Sequence, residues 1–92
     1  MKILFTNSFK KDLEKLRDKQ AGISIEKAIN NINAAKDKRE ILNIKIITGF
    51  KYYYRIKIGD FRLGIKIDDK ENSVELIRVK HRKDIYKVFP PR

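Results

Sequence analysis

Two runs of alternating apolar and polar residues, separated only by Gly59-Asp60, constrain the fold of this chain more than any other feature. Tyr52–Ile58 precedes this break and Phe61–Ile67 follows it. Alternation with a period of two is typical of β-strands that bury one face. A two-residue connection that contains glycine is typical of a tight β-hairpin. The sequence therefore predicts an antiparallel strand pair here.

The short turn also predicts the register of the hairpin. Counting outward from the turn gives five opposed pairs: Ile58 with Phe61, Lys57 with Arg62, Ile56 with Leu63, Arg55 with Gly64, and Tyr53 with Lys66. One face of the hairpin is then apolar, whereas the other carries cations and no carboxylate. Directly opposed like charges weaken a sheet, so this face is expected to bind an anion, with room for a ligand above Arg55 where Gly64 has no side chain. The alternative is an ordinary solvated face, which usually mixes both signs of charge.

The remaining pattern predicts an α+β fold around this hairpin. A strand over Lys2–Thr6 leads to a helix capped by Asn7 or Ser8 and stopped near Gly22. A second helix is predicted to be capped by Ser24 and to have an apolar face of Ile25, Ala28, Ile29 and Ile32. An edge strand or extended lead-in at Leu42–Ile47 precedes the hairpin. A strand over Ser73–Lys80 and a short C-terminal helix or turn follow it. The N-terminal strand and helical hairpin are expected to pack on one face of an antiparallel meander, which leaves the other face open.

The bulk composition limits the class of protein. The 92 residues predict one domain over residues 1–92. With no cysteine and one histidine, neither a disulfide framework nor a thiolate or His-rich metal site is expected. No export signal or membrane-spanning run is recognisable, so no membrane association and a cytoplasmic location are expected.

Charge points to a polyanionic partner. The chain has 23 Lys and Arg against 12 Asp and Glu, a net charge of +11, and such an excess is commonly offset by nucleic acid. Lys80, His81, Arg82 and Lys83 follow one another where the third strand ends. Tyr86 lies just beyond and supplies a ring on which an RNA base could stack. In a purely structural alternative, Ile85, Val88 and Phe89 anchor a C-terminal turn.

Two segments together resemble a known family. Tyr53–Leu63 resembles the central hairpin of the RelE/ParE toxin superfamily, and His81–Tyr86 resembles its C-terminal signature. The resemblance implies a toxin of a type II toxin–antitoxin pair, with a cognate antitoxin as partner in a hetero-oligomer. For the RelE-like branch it further implies a ribosome-dependent endoribonuclease that cuts mRNA by attack of a ribose 2′-hydroxyl, with neither a metal nor a cofactor.

The resemblance also implies the residues of the site. The catalytic set is Arg55, Lys57, Arg62, Arg82 and Tyr86, and the candidate RNA-binding residues are Tyr53, Lys66, Lys80, His81 and Lys83. In this scheme Lys57 is the base, a role that requires like-charged neighbours to destabilise its protonated form. Arginines stabilise the charge that develops on the phosphate, and Arg82 or His81 assists the leaving 5′-oxygen. Two departures from relatives are that Arg55 replaces a lysine found in some of them and that Lys80 replaces a common glycine.

Two other functions remain open at this stage. One is a ParE-like inhibitor of gyrase without nuclease activity, although such relatives generally lack the complete basic set. The other is a non-catalytic RNA-binding or ribosome-binding module, whose affinity would fall steeply with salt. A metal-dependent nuclease is disfavoured because the acidic residues fall mostly in turns and show no ligand spacing.

Overall fold

The computed structural model describes residues 1–91 and contains one sheet and three α-helices. In chain order the elements are β1 (Lys2–Phe5), α1 (Asn7–Lys15), α2 (Lys19–Ala34), a 3₁₀ turn (Lys38–Glu40), β2 (Ile44–Ile46), β3 (Tyr53–Ile58), β4 (Phe61–Asp68), β5 (Ser73–His81) and α3 (Ile85–Val88). This order of strand, helical hairpin, meander and short C-terminal helix confirms the predicted α+β fold. None of the helices described over this range is long and apolar enough to span a membrane.

The five strands lie in the order β1-β5-β4-β3-β2. The meander β2 to β5 is antiparallel as predicted. The N-terminal strand joins it on the far side of β5 and runs parallel to that strand, with Lys2 beside Ser73 and Phe5 beside Leu76. The sheet is therefore mixed, and β5 lies inside it rather than at its edge. The expectation that the N-terminal strand packs on one face of the meander is wrong, because this strand pairs with the edge of β5 and extends the sheet.

The main core lies between the helical hairpin and one face of the sheet. Ile25 and Ile32 of α2 are buried there, as the predicted apolar stripe requires. The opposite side of this core comes from the alternate residues of the hairpin and of β5, among them Ile56, Leu63, Ile65, Val74 and Leu76. Burial of these branched side chains is the dominant stabilising term for a domain of this size.

Both helices begin elsewhere than predicted. The cap of α1 is Thr6, not Asn7 or Ser8, because the Thr6 Oγ1 accepts the backbone N–H of Phe9 at 3.1 Å and so ends β1 one residue early. The cap of α2 is Asp18, not Ser24, because its carboxylate accepts the N–H of Ala21 at 3.0 Å. The predicted stop at Gly22 is wrong, since this residue lies within α2.

Candidate functional site

The hairpin turn fixes the rows of side chains on the basic face. Gly59 adopts a left-handed φ of 56°, which a tight turn requires and glycine readily supplies. Every predicted pair is confirmed, including Lys57 opposite Arg62 and Arg55 opposite Gly64. Strand β5 extends both rows, placing Lys80 opposite Arg62 and Arg78 opposite Gly64. Directly opposed residues share a face, so the basic face spans three strands.

Two arginines are tied to the Gly59-Asp60 turn. The Arg62 Nη1 donates to the carbonyl of Gly59 at 2.7 Å and to that of Phe61 at 2.8 Å. The backbone N–H of Arg82 donates to the carbonyl of Asp60 at 2.7 Å, and its Nε lies 3.9 Å from the Asp60 carboxylate. The structure therefore brings Arg62 and Arg82 together at one end of the hairpin, beside the exposed Lys57.

A shallow cleft joins Arg55 to Tyr86. It measures about 280 Å³ and is lined by Lys45, residues 46–48, Arg55 and Tyr86. Tyr86 is 52% exposed, so its ring is accessible to a ligand. The Arg55 Nη1 also donates to the carbonyl of Asn43 at 3.3 Å, which holds its guanidinium toward the β2 edge. Aromatic and cationic groups without a carboxylate suit a nucleotide.

The space above Gly64 is filled by the chain itself. A Cβ at Gly64 would lie 2.6–2.8 Å from three ring carbons of Phe89, and Tyr53 contacts the same ring at a centroid distance of 5.7 Å. The prediction that Gly64 leaves room for a ligand above Arg55 is therefore wrong. The prediction of a fully open face is also wrong at this point, because the C-terminal segment covers the centre of the sheet. The absent side chain seats Phe89 instead.

The remaining candidate RNA-binding residues divide between two faces. Lys66 lies on the basic face with its ammonium 6.0 Å from the centre of the Tyr53 ring. His81 lies opposite Phe61, in the alternation of the core face, and its ring contacts the Phe61 ring at 5.7 Å. The His81 Nδ1 accepts the N–H of Lys83 at 3.2 Å, and the Lys83 side chain is exposed. His81 is thus on the opposite face from Arg62, whereas Lys66 lies on the basic face directly opposite Glu75 of β5.

Lys80 leads to a cluster that the sequence analysis missed. Its ammonium lies 3.3 Å from the Asp12 carboxylate of α1, which also accepts two hydrogen bonds from Arg78 at 2.7 and 2.9 Å. The same carboxylate accepts the backbone N–H of Val79 at 3.1 Å. We call Asp12, Arg78, Val79 and Lys80 the Asp12 clasp. It lies at the edge of β5 beyond the end of the pairing with β1, where Asp12 supplies the acceptor for the Val79 N–H.

The electrostatics of the clasp favour the ionised carboxylate. Burial alone would raise the pKa of Asp12, but the hydrogen bonds from Arg78 and Val79, together with the charges of Arg78 and Lys80, hold it below its ordinary value. The Asp12 hydrogen bond raises the pKa of Arg78 in return. One signal could have revealed this residue. Asp12 is three positions after Phe9, so it interrupts the apolar stripe of α1 with a charge.

The basic face contains no evident metal site. Over residues 1–91, no three His, Asp or Glu side chains come close enough together to hold an ion.

Comparisons with known proteins identify the family. The family model described as "ParE toxin of type II toxin-antitoxin system" matches residues 3–86. The chain belongs to the RelE/ParE toxin family. It is similar to Toxin RelE3 of Methanocaldococcus jannaschii, with 39% identity over 98% of this chain and 100% of the relative. As a member of this family it is a toxin of a toxin–antitoxin system, as the resemblance implied.

Solved structures of RelE/ParE toxins share the fold of this chain. The RelB–RelE antitoxin–toxin complex of Methanococcus jannaschii matches with a TM-score of 0.65 and 34% identity over 95% of this toxin and 99% of that chain. The toxin–antitoxin complex RelBE2 of Mycobacterium tuberculosis matches with a TM-score of 0.69 and 25% identity, covering 90% of this chain and 92% of that one. In both, the matching protein was solved together with its antitoxin.

Proposed function

We propose that this toxin is a ribosome-dependent endoribonuclease that cuts mRNA, rather than a gyrase inhibitor. The observation that carries the proposal is the convergence of solvent-accessible cations with an exposed aromatic ring. The hairpin turn binds Arg62 and Arg82 next to Lys57, which is paired with Arg62, and Arg55 and Tyr86 line the adjoining cleft. Such a surface suits a single-stranded polyanion with unstacked bases.

The proposed reaction is an internal transesterification. Lys57 removes the proton of a ribose 2′-hydroxyl, whose oxygen attacks the adjacent phosphorus, and the bond to the 5′-oxygen of the next nucleotide breaks. The products are a 2′,3′-cyclic phosphate and a 5′-hydroxyl, with a proton delivered to the leaving oxygen. Arg62 and Arg82 stabilise the additional negative charge of the transition state. Tyr86 and Arg55 orient the nucleotide in the cleft.

Placement favours Arg82 over His81 beside the leaving group. Arg82 shares the turn that holds Arg62, whereas His81 contacts Phe61 in the alternation of the core face. An arginine stays charged and is a poor proton donor, so its contribution is electrostatic. The proton for the leaving oxygen then comes from Lys57 after it has acted as base, or from water.

Two partners complete the proposal. The ribosome presents the mRNA in an extended form, and a cognate antitoxin binds the toxin in a hetero-oligomer, as in the solved complexes of relatives. The net charge of +11 favours both an RNA substrate and a partner with acidic segments.

The test is an mRNA cleavage assay in a reconstituted translation system, with the ends of the fragments analysed. We expect fragments with 2′,3′-cyclic phosphate and 5′-hydroxyl ends, and a loss of about a hundredfold or more in rate for Lys57→Ala and for Arg62→Ala. Lys10→Ala is the matched control, because Lys10 is an exposed lysine of α1 and does not line the cleft that Lys57 shares with α2. It should cut at the unaltered rate.

Gyrase supercoiling measured in parallel separates the rival function. Inhibition of supercoiling without mRNA cleavage would replace our proposal with the ParE-like activity. Ribosome binding without fragments would indicate a non-catalytic module. If both alanine variants cut as fast as Lys10→Ala, the assigned catalytic residues are wrong.

A further inference from the structure

The ring of Phe89 is held in a buried position on the basic face of the sheet. It is 1% exposed, although it does not belong to the main core beneath the helices. The backbone of Gly64 lies against the ring, since a Cβ there would approach it to 2.6 Å. The ring of Tyr53 meets it edge-on, with an interplanar angle of 87°. Phe89 is thus restrained by the sheet below and by an aromatic ring beside it.

Helix α3 depends on this restraint. The helix has four residues, which is too few to be stable by itself. Ile85 at its start is fully buried, and the N–H of Phe89 donates to the Ile85 carbonyl at 2.9 Å at its end. These two buried side chains bracket the exposed Tyr86. The direction in which Tyr86 projects is therefore set by the anchors and not by the helix.

We infer that Phe89 and Gly64 are positioning residues for Tyr86, with Tyr53 as their lateral support. Phe89 seated on Gly64 holds α3 in the one orientation that places the Tyr86 ring in the cleft with Arg55. The functional part of this inference rests on the proposed function, in which Tyr86 contacts the RNA. It gives Gly64 a role in the site without contact to the substrate.

The same contacts assign a different role to Tyr53 from the one the sequence suggested. Its ring lies between Phe89 and Phe50, at centroid distances of 5.7 Å from each. Because the Tyr53 ring contacts both of these rings, it supports α3 and has less of its own surface left for stacking on a base. Tyr53 therefore acts through Phe89, whereas Tyr86 acts on the RNA.

The first test measures the backbone order of α3 and does not depend on catalytic activity. In the full chain labelled with ¹⁵N, the backbone amides of Tyr86 and Lys87 should show order parameters near 0.85, typical of rigid backbone. We expect values below about 0.6 in Phe89→Ala and in Gly64→Ala, which disturb the contact from opposite sides. The controls are Phe9→Leu, which alters a buried ring under the helices, and Gly22→Ala, where an added Cβ meets nothing within 4 Å. Neither control should change the order of these amides.

The second test measures whether the Phe89 contact affects mRNA cleavage through Tyr86. Phe89→Ala should slow single-turnover mRNA cleavage by about tenfold to a hundredfold, the size expected when a reacting group is misplaced. Tyr86→Ala should then cost less than about twofold in the Phe89→Ala background. In the Phe9→Leu background Tyr86→Ala should keep its full effect. Phe89→Leu, which retains a large apolar side chain, should recover most of the rate.

The two tests distinguish failure of the inference from failure of the proposed function. Unchanged order of the Tyr86 and Lys87 amides in both Phe89→Ala and Gly64→Ala overturns the inference, whatever the activity. An equal effect of Tyr86→Ala with and without Phe89 overturns it as well. If the unaltered toxin cuts no mRNA while the amides lose order as expected, the anchoring of Tyr86 stands and the nuclease proposal falls.

Discussion

Replacement of Asp12 by alanine should destabilise the toxin strongly, although this residue is remote in sequence from the strand that it holds. The carboxylate side chain is 4% exposed and accepts bonds from Arg78 at 2.7 and 2.9 Å and from the N–H of Val79 at 3.1 Å. Its removal leaves these donors without their acceptor. Breaking a buried ion pair from one side costs about 3–5 kcal/mol.

Partial exposure of the cations reduces this figure. The side chains of Arg78 and Lys80 are 23% and 31% exposed, so water can replace part of what the carboxylate supplied. We therefore expect a loss of about 2–3 kcal/mol in the free energy of unfolding. For a domain of this size, that corresponds to a fall of roughly 10–20 °C in Tm.

Acidic pH should lower the stability of the unaltered protein through the same residue. Because the pKa of folded Asp12 lies below the ordinary value of 3.8, its contribution to stability is complete above that value. The contribution is lost as the pH falls from there through the lower folded pKa. The difference in Tm between the unaltered toxin and Asp12→Asn should therefore shrink in strongly acidic buffer.

Thermal unfolding followed by circular dichroism at neutral and acidic pH provides the measurement. Asp84→Ala is the matched control, because Asp84 pairs with Lys87 on the surface at 3.2 Å and both side chains are more than half exposed. It should change the free energy of unfolding by less than about 0.5–1 kcal/mol. A Tm for Asp12→Ala within a few degrees of that for Asp84→Ala would refute the reasoning.

Three further predictions concern stability and binding. Gly64→Ala should destabilise the toxin by about 1–3 kcal/mol in urea unfolding through its clash with Phe89, whereas Gly22→Ala should be neutral or stabilising; equal effects would contradict the proposed contact. Thr6→Ala should cost about 1–2 kcal/mol because it removes a helix cap that also donates to β5 at 2.8 Å, and Thr48→Ala, on an exposed loop, serves as its control. The affinity for a single-stranded RNA should fall with salt, with a logarithmic slope of about −3 if four phosphates are contacted; replacing Arg55 by alanine should make that slope shallower.

The hairpin could be predicted from the sequence because its information is local. A two-residue turn leaves one register that buries all the apolar residues, and the opposed pairs from Tyr53 with Lys66 to Ile58 with Phe61 follow from it. Helix caps were predicted less well. Thr6, Asn7 and Ser8 are all good capping residues, and the choice of Thr6 depends on its hydrogen bond to the distant Leu76.

Long-range contacts account for what the sequence did not reveal. Asp12 and Arg78 are 66 residues apart, and no local pattern pairs them. Gly64 offers a space, but the sequence does not say what enters it. A ligand and Phe89 suit that space equally well until the path of the chain after β5 is known. The candidate site therefore required the structure mainly where the C-terminal segment returns to the sheet.

The place of β5 in the sheet sets the order in which the toxin can assemble during synthesis. Among the strands of residues 1–91, β1 pairs only with β5, so residues 2–5 lack this strand partner until residues 73–76 have been made. Contacts between residues so far apart in the sequence form slowly, because closing the long intervening loop costs conformational entropy. Arg82 and Tyr86 follow later still. A nascent chain that has released residue 76 but not these two residues can therefore pair β1 with β5, yet it still lacks a complete basic surface.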